Sequence, residues 1–490
     1  MLGAESLEEL LSDTSRMLSK LTFAFLWCAI ATVMVAICTT RVRAQGAPQD
    51  LIDWGLDGYA RTKSSLQVPG SSLFAETASL NGQRSGGDSG FAYVWPLSTQ
   101  FRVQNALTQL DPANYTPLLR QFSDEARARY WNAAGGGYRS GVSSGATLFY
   151  DDNAHMAVAL MEAYRITGES IYLDRARETY DFVLSGEDLA GGGGIYFNQI
   201  DHSTKETIST LQGARAALML YQATQEESYL TDATRLHQWA QSHTRQADGL
   251  FLEKYYLTGP KAGTAGDFTL VNAAGDAISL HLEFYASTGH VAHLQEAQRI
   301  ATRSLSRFFN STTGAINDEG FWAFELVDAF NNLSLVVNNP LWLTKTMNAL
   351  EWLHQNRRDP NGHYGRLWGR GGFQSTALGA WHLNDQAAVA RSYLSTGLTA
   401  LEYLRGDYNS DGAVDAADYV VWRKTDGSQS GYDTWGANFG RTAVAGSLSD
   451  VTVPEPPNWM LLISAALAWW SREGHRHVGL LACHRGRKHC

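Results

Sequence analysis

The chain has 490 residues and a formal net charge of −10 at pH 7, with no long basic run before its C-terminal tail. This acidic balance excludes nucleic acid as an expected partner. The four cysteines, Cys28, Cys38, Cys483 and Cys490, lie near the two ends. The residues between them therefore hold no disulfide framework, no thiolate metal site and no cysteine nucleophile, and a body of about 360 residues can bury a stable core.

The N-terminal segment is typical of an exported protein. Ser19-Lys20 precede a largely apolar run without charge, Leu21 to Cys38, and a short basic stretch then ends at Ala44. This order predicts a secretory signal peptide at residues 1–44, cleaved near Ala44. A membrane anchor is the alternative, because a run of 18 residues is just long enough to span a bilayer. We expect the mature protein to be secreted or associated with the cell surface.

A repeated pattern of helix, turn and helix fills the middle of the chain. Tyr164, Tyr221 and Tyr285 lie 57 and 64 residues apart (221 − 164 and 285 − 221), and each precedes a Thr-Gly-like turn and a new amphipathic segment. A weaker echo runs from Tyr393 to Gly397. This pattern predicts helical hairpins, of which about six fit the available length. We therefore predict an all-α fold, an (α/α)6 toroid whose glycine-rich and aromatic loops line a central cleft.

Two adjacent aspartates, Asp151 and Asp152, stand where one of the apolar helices begins. Close carboxyl groups can share one proton, which is the equipment for cleaving a glycosidic bond. Successive helical residues point about 100° apart, so both can face one cavity only near a helix end that opens onto it. Their closeness favours a retaining mechanism, with Phe149 and Tyr150 as a partly apolar setting. Capping of the helix by these side chains is the alternative.

The segment from Tyr150 to Ala154 resembles the Asp-Asp motif of glycoside hydrolase family 76. The resemblance spans residues 90–405 and includes Gly193 to Asn198, Lys205 to Thr210, Trp368, and Asp385 to Ala388. Known members of that family are α-1,6-mannanases with an (α/α)6 barrel. The resemblance implies that Asp151 is the nucleophile and Asp152 the general acid/base, with no catalytic metal. The candidate substrate-binding residues are Tyr150, His155, Tyr196, Asn272 and Trp368.

Polar residues at three places in the chain have structural interpretations of their own. His155 is as well explained by packing in a helix as by a hydrogen bond to a sugar hydroxyl. Asp276 stands before a helix expected at residues 277–285, in a place that we take as equivalent to that of Asp152, and we expect it to cap that helix. The turn at Asp318-Glu319-Gly320 is expected to be solvated.

A second motif follows the predicted toroid. Asp407, Asn409, Asp411, Asp415 and Asp418 occupy positions 1, 3, 5, 9 and 12 of a loop with Gly412 at position 6. This spacing predicts a structural calcium ion in a small C-terminal module, and the segment resembles one half of a dockerin. The second half, residues 431–439, lacks a full ligand set. A cohesin-like partner and a calcium-stapled spacer both remain open, and an Asp-rich linker is the alternative to a calcium site.

The C-terminal segment resembles the PEP-CTERM sorting signal of exported bacterial proteins. Residues 453–456 read Val-Pro-Glu-Pro, and an apolar run from Trp459 to Trp470 leads into a basic tail. Twelve residues are too few for an ordinary membrane span, and a disordered terminus is the alternative. We expect membrane contact through this segment only. The predicted divisions are a signal peptide (1–44), a glycosidase-like domain (45–405), a calcium module (406–445) and a sorting segment (446–490).

Taken together, the residues and the resemblance favour an exported, endo-acting hydrolase of α-mannan-type polysaccharide. A second interpretation keeps the toroid but changes the chemistry, as in unsaturated glucuronyl hydrolases or sugar epimerases. Epimerisation by histidine would require residues such as His155 and His281 in the cleft. A third interpretation is a surface protein that binds glycans through its aromatic loops without cleaving them.

Overall fold

The computed structural model describes residues 48–369, 374, 376–409 and 411–442. The predicted signal peptide (1–44), the predicted sorting segment (446–490) and all four cysteines lie outside the described residues. Within the part of the chain that the structure describes, no helix combines the length and the apolar character needed to cross a bilayer.

Among the described residues between Pro48 and Tyr403, twelve α-helices alternate between an outer and an inner layer. The outer helices are α1 (Pro48–Leu66), α3 (Pro112–Tyr130), α5 (Ser170–Leu184), α7 (Glu227–His243), α9 (Val291–Phe308) and α11 (Leu341–Arg357). The inner helices are α2 (Val94–Leu110), α4 (Tyr150–Thr167), α6 (Thr207–Thr224), α8 (Val271–Thr288), α10 (Gly320–Val337) and α12 (Leu383–Tyr403). Each inner helix contacts the next, and α12 contacts α2, so the ring closes. The predicted (α/α)6 toroid is confirmed.

The amphipathic pattern of the sequence explains which helices lie outside. In α9 the buried residues are Ala297, Ile300, Ala301, Ser304 and Phe308, a spacing of three and four that gives one apolar stripe. The inner helix α8 is instead buried from Val271 through Leu282. A helix that is buried on all sides must be covered by other elements. The inner helices are therefore surrounded by the layer of outer helices.

The first and last helices of the ring form the sixth hairpin pair, because α1 packs against α12. A Cβ atom at Gly55 would lie 2.6 Å from Leu394 Cγ, and one at Gly397 would lie 2.7 Å from Ile52 Cδ1. The echo at Tyr393 is therefore not a turn. Gly397 lies inside α12, where a side chain would prevent the close approach of the two helices.

The predicted repeat sets the register of three inner helices. Helices α4, α6 and α8 have 18 residues each, and their first residues are Tyr150, Thr207 and Val271. These starts lie 57 and 64 residues apart (207 − 150 and 271 − 207), the spacings of the repeat tyrosines. Each helix ends at a left-handed residue whose N–H donates to the carbonyl oxygen of the repeat tyrosine. Because the starts keep this register, residues at one helical position are structural equivalents.

Two layers of polar side chains fill the centre of the ring. The upper polar layer is the sixth residue of four inner helices: His155, Gln212, Asp276 and Glu325. The lower polar layer is the ninth residue of four inner helices: Arg102, Arg215, Asp328 and Arg391. A step of three residues advances about 4.5 Å along a helix, so the layers touch. Arg102 Nη1 donates to Glu325 Oε1 at 2.6 Å, joining them.

Short strands link the hairpins at the end of the ring where the inner helices begin. The first sheet contains β1 (Thr77–Ser79), β2 (Arg84–Ser85) and β8 (Ala380–His382), the second β3 (Trp131–Asn132) and β4 (Gly137–Tyr138), and the third β5 (Ile195–Tyr196), β6 (Thr204–Glu206) and β7 (Lys254–Tyr256). All pairs are antiparallel. The β1–β8 register is extended by a bond from Leu383 N to Glu76 O at 2.9 Å, which fixes Glu76 beside the start of α12.

Two further helices, α13 (Ala416–Thr425) and α14 (Gln429–Asn438), follow the ring. The indole N–H of Trp435 donates to Asp415 O at 2.8 Å, and Arg441 Nη1 donates to Tyr403 O at 3.0 Å. Val414 is fully buried in the same apolar core as the toroid. The segment therefore packs directly on the end of α12.

Candidate active site

A cleft of about 1280 Å³ opens at the end of the ring where the inner helices begin. First-turn residues of α2, α4, α6, α8 and α10 line it, together with the loops that precede them. Pockets for small molecules occupy roughly 300–1,000 Å³. The cleft therefore has room for an extended ligand.

The lining of the cleft combines aromatic rings with carboxyl groups. The aromatic residues are Tyr93, Trp95, Phe149, Phe197, Tyr256 and Trp322. The seven carboxyl-bearing residues are Glu76, Asp88, Asp151, Asp152, Asp201, Glu206 and Glu253. Among the described lining residues, Lys254 is the only lysine or arginine. Aromatic faces suit the apolar faces of a neutral ring compound, whereas this charge balance repels an anion.

Asp151 and Asp152 occupy the first turn of α4 and both line the cleft. The N-cap position belongs to Phe149, which has no side-chain oxygen to accept a bond. Asn153 instead fixes this end of the helix, since its Oδ1 accepts from Tyr138 N at 2.7 Å and its Nδ2 donates to Tyr138 O at 2.9 Å. The capping alternative therefore does not explain why the two aspartates stand here.

The two aspartates hold protons more tightly than ordinary carboxyl groups. Burial raises the pKa of Asp151 well above its usual range, and the charge of Asp152 raises it further. Burial also raises the pKa of Asp152 to about 7, with the charge of Glu76 acting in the same direction. Two neighbouring carboxyl groups titrate as a pair. At neutral pH the pair therefore keeps at least one proton, as general acid catalysis requires.

Glu76 and Glu206 flank the pair and were not singled out from the sequence. Glu206 is the residue before α6, as Phe149 is before α4, and burial raises its pKa to about 7. The position of Glu206 in the repeat could have identified it as a cleft residue from the sequence. Glu76 lies in no repeat unit, and its carboxylate accepts from Tyr93 N at 3.0 Å. Tertiary contacts bring Glu76 to the cleft, among them this bond and the pairing of β1 with β8.

Two buried oxygen atoms that belong to cleft-lining side chains have no hydrogen-bond partner among the described residues. They are Asp151 Oδ1 and Asn272 Oδ1. Each belongs to the second residue of an inner helix, α4 or α8. Buried polar atoms are nearly always paired in folded proteins. These two atoms are therefore placed to receive hydrogen bonds from a ligand.

His155 forms the floor of the cleft one turn below the aspartates. Its Nδ1 lies 3.6 Å from Glu325 Oε1 and 3.4 Å from Gln212 Nε2. Burial lowers the pKa of His155 to about 4, although the charge of Glu325 opposes this shift. The imidazole is therefore neutral at pH 7 and can both donate and accept hydrogen bonds.

The structure separates the five predicted substrate-binding residues into two groups. His155 and Asn272 line the cleft, whereas Tyr150, Tyr196 and Trp368 are buried and are not among the described lining residues. Tyr150 stacks on Phe182 with ring centroids 4.9 Å apart. The hydroxyl of Tyr196 donates to Asp188 at 2.8 Å, and Trp368 is 2% exposed. These three side chains support the loops behind the cleft.

Asp276 and His281 also lie elsewhere than the sequence suggested. Helix α8 begins at Val271, so Asp276 is its sixth residue and is the equivalent of His155 rather than of Asp152. It is fully buried and accepts from Gln212 Nε2 at 2.7 Å, so the capping prediction is wrong. His281 is not among the described cleft residues. Its Nδ1 lies 2.9 Å from His293 Nδ1, between α8 and α9.

The predicted calcium loop is closed by its own carboxylates. Asp407 accepts from Asp411 N at 3.2 Å and from Gly412 N at 2.9 Å, while Asp418 accepts from Asn409 N at 3.0 Å. Burial raises the pKa of Asp407 to about 6, and the charges of Asp418 and Asp411 add to this. A cation would relieve that repulsion.

The carboxylate side chains of this loop do not by themselves form a complete calcium site. In the described parts of the chain, no three His, Cys, Asp or Glu side chains are gathered so that they could hold a metal ion. A calcium ion here would also need the oxygen of Asn409 and backbone carbonyl groups. The calcium site stays a prediction.

Comparison with known proteins decides the family. Residues 75–320 match the sequence profile described as glycosyl hydrolase family 76, which is half of the chain. The chain belongs to glycoside hydrolase family 76. Membership makes it a glycoside hydrolase. Among curated proteins, the sequence finds no significant match.

Solved structures agree with this assignment. A family 76 α-mannanase from Bacteroides thetaiotaomicron is 26% identical, with a TM-score of 0.65 over 71% of this chain and 95% of that chain. An inactive α-1,6-mannanase variant from Salegentibacter sp. HEL1_6, bound to α-1,6-mannotriose, is 18% identical, with a TM-score of 0.61 over 71% of this chain and 99% of that chain. A cellobiose 2-epimerase from Spirochaeta thermophila is 13% identical, with a TM-score of 0.54 over 72% of this chain and 97% of that chain. The last two similarities concern the fold.

Proposed function

We propose that this family 76 hydrolase cleaves α-1,6-mannosidic bonds in mannan-type chains with retention of configuration, using Asp151 and Asp152. The observation that carries the proposal is a pair of adjacent carboxyl groups, both with raised pKa values, lining an aromatic, oligosaccharide-sized cleft. The Salegentibacter variant that holds α-1,6-mannotriose is inactive with two consecutive aspartates replaced by asparagine. That pair supports the same role for the consecutive aspartates of this chain.

In the proposed reaction Asp152 donates its proton to the glycosidic oxygen while the carboxylate of Asp151 attacks the anomeric carbon. The C1–O bond to the leaving sugar breaks and an ester between Asp151 and mannose forms. Asp152 then takes a proton from a water molecule, whose oxygen attacks C1 and releases Asp151. Two inversions give net retention.

The electrostatics of the free cleft put a condition on these roles. The pKa of Asp151 is raised well above its usual value, as that of Asp152 also is, so Asp151 competes with Asp152 for a proton. The reactive form has the proton on Asp152 and leaves Asp151 ionised. The glycosidic oxygen, by accepting a hydrogen bond from Asp152, favours this arrangement when substrate is bound.

The cleft chemistry favours a neutral sugar over the alternatives. An unsaturated uronic acid carries a carboxylate, which the ionised carboxyl groups of the cleft would repel and which Lys254 alone among the described lysines and arginines of the lining would attract. Epimerisation by two cleft histidines lacks its second histidine among the described lining residues, which include His155 and not His281. A purely glycan-binding protein would have no use for a buried pair of acids that destabilises the fold.

We also propose that cleavage is endo-acting and that the protein is exported, with the C-terminal segment as a sorting signal. We further propose that the 407–418 loop is a calcium-stapled element that offers a surface to a cohesin-like partner. These proposals rest on the sequence motifs and on the resemblance.

The test is hydrolysis of a panel of α-mannans, with the anomer of the first product followed by proton NMR. Retention and a ladder of oligosaccharide products are expected. A 2-deoxy-2-fluoro-α-mannosyl fluoride should label Asp151, as located by peptide mass spectrometry. Initial release of the β-anomer, or labelling of Asp152, would overturn the mechanism, and hydrolysis of only non-mannan chains would overturn the substrate.

A further inference from the structure

A second cavity of about 600 Å³, here called the lower pocket, lies at the end of the ring opposite the cleft. It is lined by residues from the middle to the C-terminal ends of α2, α10 and α12, and by Arg405 just after α12. We propose that the lower pocket binds a neutral, polyhydroxylated molecule of the size of a mono- or disaccharide. The proposal goes beyond the hydrolytic site and does not depend on its substrate.

The lower pocket is separate from the cleft. Along α10, Trp322 lines the cleft and Asn332 lines the lower pocket. Ten helical residues span about 15 Å. Glu325 and Asp328 lie between them and are 1% and 3% exposed. One bound sugar therefore cannot occupy both sites.

The floor of the lower pocket contains a carboxylate with an unused acceptor. Asp328 Oδ2 accepts from Arg102 Nη2 and from Arg391 Nε, both at 2.9 Å. Asp328 Oδ1 is buried and has no partner among the described residues. An unpaired buried acceptor costs about 1–3 kcal/mol. A hydroxyl group entering the pocket, with a small adjustment of the side chain, would supply the missing donor.

The charges of the lower pocket cancel in pairs. Arg391 pairs with Asp328, and Arg405 pairs with Glu402. A charged ligand would find no unpaired opposite charge among these four groups. The remaining lining is suited to hydroxyl groups and to the C–H face of a sugar. It consists of five polar residues, Gln109, Asn331, Asn332, Ser395 and Thr399, and four apolar ones, Ala106, Leu335, Leu398 and Leu401.

The (α/α)6 fold does not by itself produce an open pocket at this end of the ring. The inner helices on the other side of the same end show this. There, Arg165 Nη1 bonds to Glu283 Oε1 at 2.8 Å, and Gln222 Nε2 bonds to Glu283 Oε2 at 3.0 Å. Arg165 and Gln222 are the sixteenth residues of α4 and α6, and Gln109 is the sixteenth residue of α2. Equivalent positions therefore close one half of this end with bonds and leave the other half open.

The experiment is calorimetric titration of the catalytically silent Asp151→Asn/Asp152→Asn protein with α-1,6-mannobiose and, separately, with maltose. At least one of these disaccharides should bind to the lower pocket. The Gln109→Trp change, made in the same background, fills the pocket from an exposed position. It should weaken that binding event at least tenfold while leaving any binding in the cleft unchanged. In the otherwise native protein, Gln109→Trp should leave hydrolysis unchanged.

The matched control is Gln238→Trp, at an exposed glutamine on outer helix α7 that is not among the described lining residues of either cavity. It should leave both binding events intact. The proposal is overturned if neither disaccharide shows an event sensitive to Gln109→Trp, or if glucuronate binds there more tightly than the neutral sugars. Failure of mannan hydrolysis would overturn the proposed function alone, since the Gln109→Trp comparison does not use turnover.

Discussion

The inner helices carry two sets of carboxyl groups away from bulk solvent. Asp151 and Asp152 lie at the cleft, whereas Glu162 and Glu325 lie deeper in the ring. The pKa of each cleft aspartate is raised, because burial is not compensated by a basic partner. Burial alone would also raise the pKa of Glu162, but Arg102, Arg391 and Arg215 outweigh it and hold the pKa at about 2. The difference shows that the partner, and not the depth, decides whether a buried acid serves catalysis or structure.

The difference extends to stability. A buried, paired carboxylate supports the fold only while its arginine is present, whereas a buried, unpaired one opposes the fold at neutral pH. Five changes would break or sharpen this comparison.

The largest expected effect is on turnover. Asp151→Asn removes the proposed nucleophile while keeping the shape of the side chain, so kcat/KM on α-mannan should fall by at least about a thousandfold. Melting temperature should stay equal or rise, because a source of like-charge repulsion is lost. Retained turnover, or a large fall in melting temperature, would place Asp151 among structural carboxylates. Asp88→Asn, at a half-buried carboxylate of the cleft rim, is the matched control.

The second change removes the partner of the paired group. Arg102→Met leaves Glu162, Glu325 and Asp328 without their shared guanidinium. Breaking such a buried pair should lower the free energy of unfolding by about 3–5 kcal/mol, measured by urea denaturation. Arg120→Met, which breaks an exposed pair with Glu169, is the control and should leave the denaturation midpoint unchanged. Equal midpoints for both variants would mean that the interior pairs do not stabilise the ring.

The third change concerns the unpaired acceptor of the cleft. Asn272→Ala removes the buried Oδ1, which has no hydrogen-bond donor among the described residues. If a substrate hydroxyl donates to this atom, kcat/KM should fall by about ten- to a hundredfold. The Asn272→Ser variant retains a smaller hydrogen-bonding group and should recover part of the loss. An unchanged kcat/KM for Asn272→Ala would show that substrate does not reach this atom.

The fourth prediction uses the sign of the pKa shifts. The folded pKa of Asp152 is about 7 against an ordinary 3.8, so the fold loses stability as pH rises from about 4 to 7. For Glu162 the folded pKa of about 2 lies below the ordinary 4.5, so stability is lost as pH falls through that range. The melting temperature of Asp152→Asn relative to the native protein should therefore increase from pH 4 to pH 7. A constant difference would mean that Asp152 titrates normally.

The smallest effect is expected at residues 407–418, a third setting in which close carboxylates lack a basic partner. Adding calcium should raise the melting temperature by a few degrees, and chelation should reverse the change. Asp407→Asn should abolish the response, whereas Asp433→Asn, on α14 outside the loop, should preserve it. If both variants respond to calcium equally, the predicted calcium site does not lie in this loop.

Local patterns in the sequence determined most of the architecture. The tyrosine spacing predicted the hairpins because each unit depends on contacts within a few turns of the chain, and three inner helices begin at the same spacing. The aspartate pair was readable because its two members are adjacent. Asp276 was misplaced because the apolar residues before it were not recognised as the first turn of α8.

Contacts between distant segments decided what the sequence could not show. Glu76 reaches the cleft through pairing of β1 with β8, about three hundred residues away along the chain. Tyr150, Tyr196 and Trp368 were expected at the substrate and instead pack behind the cleft, because aromatic side chains suit a core as well as a sugar.

The sequence by itself therefore determined the repeat, the ring of hairpins and the acid pair, since periodicity and adjacency are properties of the chain. Only the tertiary structure decided which acids are catalytic candidates and which are structural. The reason is that a carboxyl group's pKa depends on the charges around it in space, and the ring brings Arg102 to Glu162 and Glu325 while leaving Asp151 and Asp152 without a basic partner.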